Sequence, residues 1–250
     1  MKLAREVKRV LLIVVLVGLW QAAGPKQIAD AQVLEEMREM EAGLQSVVPL
    51  SIQMVDSALS FLSKGRSEMT PDEGAVFDLI FDPAGTGQTD EAFLEEVLGN
   101  MRRIKRALAT RIRIRYAPDS PRCADQRLYY TDMVTVSICP YFLTEADVVR
   151  KARGLVHEMA HKALLVVDRP YFAPYSEAYT NLTPWGGRSA QLPLIGRLLR
   201  EVARDDTLYH PDAYAHLAAA FSGIPGELEL YLRFIPEPDG PETPTYVAYH

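Results

Sequence analysis

In the segment LVHEMAHKALLVVDRPYF, residues 155–172, two histidines stand four residues apart with a glutamate after the first. On an α-helix, residues i and i+4 share one face, so His157 and His161 present their imidazoles to one point. Neutral imidazole nitrogens are good ligands for Zn2+, and a catalytic zinc site takes three protein ligands and keeps a position for water. Glu158 sits where its carboxylate reaches that water and not the metal. There it would act as general base, taking the water's proton and passing it to a leaving amine. The same spacing also occurs on solvated helices that bind nothing, with the glutamate a plain surface charge. Here the motif lies in an apolar, helix-periodic stretch, which favours a zinc site.

A third ligand is needed. Asp168 lies seven residues beyond His161, far enough for a helix to end and the chain to turn back. Glu177 lies sixteen beyond, in PYSEAYTNL, a segment that would form a short helix. Spacing leaves both open. Asp168 also reads as a turn residue before Arg169 and Pro170, and Glu177 as a surface acid.

These residues have to be carried by ordered elements. Thr144, with Asp147 three residues on, resembles a helix-start capping pattern, and the helix that follows runs through ADVVRKARGLVHEMAHKALLV. Upstream, RIRIRY (111–116) alternates strictly and predicts a strand with one exposed face. LYYTD and MVTVSIC (133–139) predict two more strands around a short turn. Residues 27–63 carry apolar positions at helical spacing interrupted by Pro49, which predicts one kinked helix or two. SKGRSEMTPDEG reads as a turn-rich connector, and Thr89 as the cap of an amphipathic helix reaching Ala109. Further helices are expected at 191–204 and 211–221, before a Pro-rich tail. Helices, then strands, then helices give an α+β class.

The N-terminus is of another kind. Lys2, Arg5, Lys8 and Arg9 precede an unbroken apolar run from Val10 to Trp20, the pattern of a secretory signal. The run is short for a bilayer span, and neither Gln21-Ala22-Ala23 nor Ala29-Asp30-Ala31 is a strong cleavage site, so an uncleaved anchor is the alternative. Export is expected under both readings. Cys123 and Cys139 are the only cysteines, and in an exported chain they form a candidate disulfide. The remaining composition is that of a globular protein: 48% hydrophobic, 24% charged, net charge -6 over 250 residues. That balance argues against a nucleic-acid partner. The basic stretch MRRIKRALATRIRIR (101–115) reads as solvated faces of a helix and a strand.

Four segments in order, SICPYF (137–142), RGLVHEMAH (153–161), DRPY (168–171) and HPDAYAHL (210–217), resemble the motifs of the deuterolysin-like aspzincins, which include the fungal deuterolysins and peptidyl-Lys metalloendopeptidases. Members carry I-x-L-C-P-x-F-F, H-E-x-x-H, G-T-x-D-x-x-Y and N-A-D-x-Y, and the resemblance covers roughly residues 75–221. It implies a zincin-like metallopeptidase domain with His157, His161 and Asp168 as zinc ligands and Glu158 as base. Tyr171 would donate to the developing oxyanion, a type of contact that contributes about 3–4 kcal/mol; its other reading is aromatic packing. Asp212 would sit by the substrate pocket and favour a basic side chain, or else be a helix N-terminal acid stabilised by the helix dipole. The chain departs from the family at Val166-Val167, in place of the usual G-T-x lead-in to the aspartate, and at His210-Pro211, in place of Asn-Ala.

The expected organisation is a signal peptide or membrane anchor (1–31), a helical N-terminal region (32–75), an aspzincin-like zinc domain (76–225) and a Pro-rich tail (226–250). The expected activity is zinc-dependent endopeptidase hydrolysis of protein or peptide substrates. The alternatives are a gluzincin-type peptidase with Glu177 as third ligand and a non-catalytic exported binding or envelope protein derived from a peptidase.

Overall fold

The computed structural model describes residues 26–81, 89–110, 112–123, 127–132, 134–166, 208 and 210–232. Helix α1 (Lys26–Leu62) is followed by a short 3-10 turn (Arg66–Glu68), α2 (Pro71–Phe81) and α3 (Glu91–Ala109). Strand β1 (Arg113–Tyr116), a second 3-10 turn (Pro121–Cys123), β2 (Tyr129–Thr131) and β3 (Thr135–Ile138) come next. Then come α4 (Tyr141–Thr144), the motif helix α5 (Val148–Leu164), α6 (Pro211–Ala220) and α7 (Glu227–Leu232). The class is α+β, as the order of patterns predicts.

The three strands form one small sheet in the order β1-β3-β2. β1 runs parallel to β3, with Ile114 opposite Val136, and β2 runs antiparallel to it, with Tyr129 opposite Ile138. Cys123 and Cys139 are joined by a disulfide, tying the turn after β1 to the end of β3. The bridge closes a loop of 16 residues, for which chain entropy gives about 3 kcal/mol.

Helix α5 is central and packs on α1, α3 and α6. Its inward face, Ala152, Leu155, Val156, Met159 and Ala160, is fully buried. Burying a side chain such as Leu155 or Met159 is worth roughly 1.5–3 kcal/mol. Helix α1 belongs to the same core: Met40, Leu44, Met54 and Ala58 are fully buried in one cluster with α5. Ser51 donates across to the Ala152 carbonyl at 3.1 Å. Close helix packing is permitted by Gly43, where an added Cβ would lie 2.9 Å from the Phe142 ring.

Several local expectations are revised. Residues 26–62 form one helix that continues through exposed Pro49. The span read as a connector contains the start of α2, where Thr70 and Glu73 form a reciprocal capping box: Glu73 N donates to Thr70 Oγ1 (3.2 Å) and Thr70 N to Glu73 Oε2 (2.8 Å). Asp90 caps α3, accepting from Phe93 N at 2.9 Å, while buried Thr89 donates to Asp78. Helix α5 starts three residues later than Thr144 suggests, because Asp147 accepts from Val149 N and Arg150 N at 2.8 and 3.1 Å. Residues 227–232, placed in the tail by composition, form α7, anchored by fully buried Tyr231. None of the described helices is long and apolar enough to cross a membrane. The apolar run from Val10 to Trp20 and the helix expected at 191–204 lie outside the described residues.

Candidate metal and catalytic site

The entry of α5 is fixed before its histidines are reached. Arg150, in its first turn, forms a buried ion pair with Glu145 and donates to Tyr141 Oη at 3.2 Å. One turn before Glu158 sits Gly154, where a Cβ would lie 3.1 Å from the Tyr129 ring. Glycine there lets strand β2 lie against the helix beside the motif. Burial, with the nearby Glu158 carboxylate, pushes the Tyr129 hydroxyl well above the ordinary tyrosine range and keeps it protonated.

His157 and His161 project from one face, as the i, i+4 spacing requires, with ring centroids 4.7 Å apart. Each Nδ1 faces an oxygen that can only accept. His157 Nδ1 lies 2.6 Å from Asp212 Oδ1, and His161 Nδ1 lies 2.8 Å from the Val166 carbonyl. Both rings therefore carry hydrogen on Nδ1 and, when neutral, a lone pair on Nε2. The two Nε2 atoms are 3.0 Å apart. At that separation either one ring is an imidazolium that donates to the other, or a metal ion is shared by the two lone pairs. For comparison, two nitrogens bound to one tetrahedral zinc at ordinary bond lengths stand roughly 3.3 Å apart. The donor set and its tautomers thus fit a zinc ion. His161 and Glu158 are buried and the His157 side chain is 14% exposed.

The two oxygen acceptors come from different distances along the chain. Val166 is local. Helix α5 ends where Leu165 adopts a left-handed conformation (φ 56°, ψ 38°). For a residue other than glycine, this conformation costs about 1–2 kcal/mol. It reverses the chain immediately and returns the Val166 carbonyl to the ring. Asp212 is remote, 55 residues from His157, in the first turn of α6. The positive end of that helix stabilises its charge. Buried His210 caps α6 by accepting from Asp212 N at 3.2 Å. Tyr214 anchors the same turn, donating to the Leu208 carbonyl (2.8 Å) and accepting from Asn100 Nδ2 (2.7 Å) on α3.

A further buried histidine lies behind this layer. His216 Nδ1 is 2.6 Å from Tyr231 Oη, linking α6 to α7. Burial holds His216 well below the usual histidine range, with Arg153, His157 and His210 adding in the same direction.

Of the residues singled out by sequence, His157, His161 and Asp212 are brought together and Glu158 is buried on the same helix near Tyr129, while Asp168, Tyr171 and Glu177 lie outside the described residues. Among the described residues no group of three His, Cys, Asp or Glu side chains is placed to share a metal ion. The contact between Asp212 and His157 was not legible, since nothing in HPDAY indicates which ring the acid meets. His210 and His216 gave no signal beyond their residue type. No protein-family model, curated protein or solved structure matches the chain.

Proposed function

We propose that this chain is an exported zinc metalloendopeptidase with an aspzincin-like, zincin-type catalytic domain. The observation that carries the reading is the pair of Nε2 atoms 3.0 Å apart, each on a ring whose Nδ1 is tied to an oxygen acceptor. His157, His161 and Asp168 would hold the ion. Asp168 follows Val166 by two residues, and Val166 itself meets the His161 ring through its carbonyl.

Bound zinc would acidify a coordinated water and polarise the substrate carbonyl. The protein residues do the rest. Glu158, beside His157 on the same helix, takes the proton from the water and delivers it to the leaving nitrogen. Tyr171 donates a hydrogen bond to the oxyanion as charge develops there. Asp212 fixes the tautomer and orientation of His157, the part that carboxylates commonly play behind metal-bound histidines. Val166 does the same for His161 through its backbone.

The test is Glu158→Gln in the full chain. It should abolish hydrolysis of a denatured protein substrate while zinc still binds in a one-to-one ratio; retained hydrolysis would rule out Glu158 as the base. Zinc stoichiometry in Asp168→Ala and Glu177→Ala identifies the third ligand, and loss only in Glu177→Ala would replace the aspzincin reading with a gluzincin one.

A further inference from the structure

The chain carries a net charge of -6, yet one groove on its surface is walled by cations. It is an open depression of about 990 Å³ between the last turns of α1 and the second half of α3. From α3 it is lined by Gly99, Arg102, Arg103 and Arg106, positions i, i+3, i+4 and i+7 of a single helical stripe. The facing wall is formed by Asp56, Leu59 and Ser60 of α1 and by Ser63 just beyond its end. Asp56 is already matched by Lys105, at 2.7 Å. Among the described residues, Arg102, Arg103 and Arg106 take part in no ion pair. Like charges three and four residues apart on a helix disfavour it, a cost only partly offset here by Arg106 lying in the last turn of α3, at the negative end of the helix.

Gly99 is a second, independent observation. Glycine inside a helix weakens it relative to alanine. Gly43 and Gly154 each have a structural reason, an aromatic ring that a Cβ would crowd. At Gly99 a Cβ would meet nothing within 4 Å. What its missing side chain leaves open is the floor of the groove. The bare backbone and the three exposed arginines line the same groove.

We propose that this groove binds an acidic polypeptide segment in extended conformation. The guanidinium forks of Arg102, Arg103 and Arg106 would pair with successive carboxylates, and the segment's backbone would lie over Gly99. A concave, partly apolar channel suits a chain and not a flat bilayer. The proposal stands apart from the zinc chemistry and does not depend on it.

The experiment measures fluorescence anisotropy of a short labelled Glu-rich peptide titrated with the full chain. A Lys-rich peptide, inorganic phosphate and phosphatidylglycerol vesicles serve as comparisons. Binding should saturate, and should weaken as salt rises from about 50 to about 300 mM. The double variant Arg102→Glu/Arg103→Glu should weaken it by roughly tenfold or more. Gly99→Ala should raise Tm yet weaken the peptide severalfold, a combination that damage to the fold cannot produce. Equal binding of acidic and basic peptides, unchanged binding in the charge-reversed variant, or capture by vesicles or phosphate in preference to the peptide would overturn the proposal. Full peptide binding by a stabilised Gly99→Ala would do the same.

Discussion

Replacing Asp212 by alanine removes the carboxylate 2.6 Å from His157 Nδ1, in a site where His157 is 14% exposed. Two responses are open to the ring. It can keep its Nδ1 hydrogen without that carboxylate, at about 1–3 kcal/mol for a poorly solvated donor. Or it can move the proton to Nε2, the nitrogen facing His161, and lose the lone pair a metal needs. Each route weakens a cation shared by the two rings. Loss of such a supporting partner ordinarily lowers metal affinity by about 10–100-fold, which corresponds to about 1.4–2.8 kcal/mol. Asp212→Asn separates charge from geometry, since its amide oxygen can still accept from Nδ1–H and hold the tautomer. Its loss should be smaller, about tenfold or less. The assay is competition for zinc between the full chain and a chromophoric chelator near neutral pH, with thermal unfolding as a control on the fold. If Asp212→Ala binds zinc within about twofold of the parent, the positioning argument is wrong. The resemblance implies a different outcome, in which zinc affinity is intact and KM rises for substrates with a basic residue at the cleavage site. The two measurements together assign the acid.

Gly43→Ala should destabilise the chain, because its Cβ would meet Phe142, 1% exposed, at 2.9 Å. Overpacking of about 1–3 kcal/mol, less up to about 1 kcal/mol of helix propensity, gives a net loss of up to about 2 kcal/mol. Thermal unfolding reads this as a Tm lowered by up to a few degrees, and a higher Tm would contradict the packing of α1 on α4. His216 carries a pH signature. Its folded pKa is depressed and its unfolded pKa is about 6.5, so its contribution is complete above that pH and declines as pH falls through the window below it. The urea midpoint should drop between about pH 6.5 and 5, with a limiting slope of about 1.4 kcal/mol per pH unit from this group. His216→Gln should be less stable at neutral pH but flatter across that window, and an equal slope would show that His216 titrates alike in the folded and unfolded chain.

What the sequence made legible is what repeats along the chain. The 3.6-residue period placed α3 and α5, and strict alternation placed β1, because those patterns are the burial pattern itself. Helix starts were less legible, since several cap-competent residues compete. Thr144 and Asp147 both fit, and the choice falls to Asp147 because the Arg150–Glu145 ion pair holds residues 145–147 out of the helix. The α2 start was written plainly as Thr70-Pro71-Asp72-Glu73, a capping box with proline at the first helical position, but Gly74 beside it made the stretch read as a turn. Six-residue α7 could not be read at all. A helix that short has no stability of its own, and it exists because Tyr231 is buried against His216.

The site divides along the same line. The i, i+4 spacing aims two rings at one point, but it does not decide which nitrogen of each ring faces that point. That choice is made by the two acceptors on the far sides of the rings, and neither has a sequence signature. One depends on Leu165, 78% exposed, holding a left-handed backbone where glycine or asparagine would be expected. An exposed leucine gains little from its side chain there, so the strain is compensated by what the turn accomplishes: it brings the Val166 carbonyl back to His161 within five residues. The other depends on α6 packing across α5, α1 and α2, so that Asp212 arrives at His157 with its charge stabilised by a helix N-terminus. One ring is set by a local turn and the other by tertiary packing. Both Nε2 atoms face inward only when the whole core is assembled, so loosening α6 should disarm His157 while leaving His161 set.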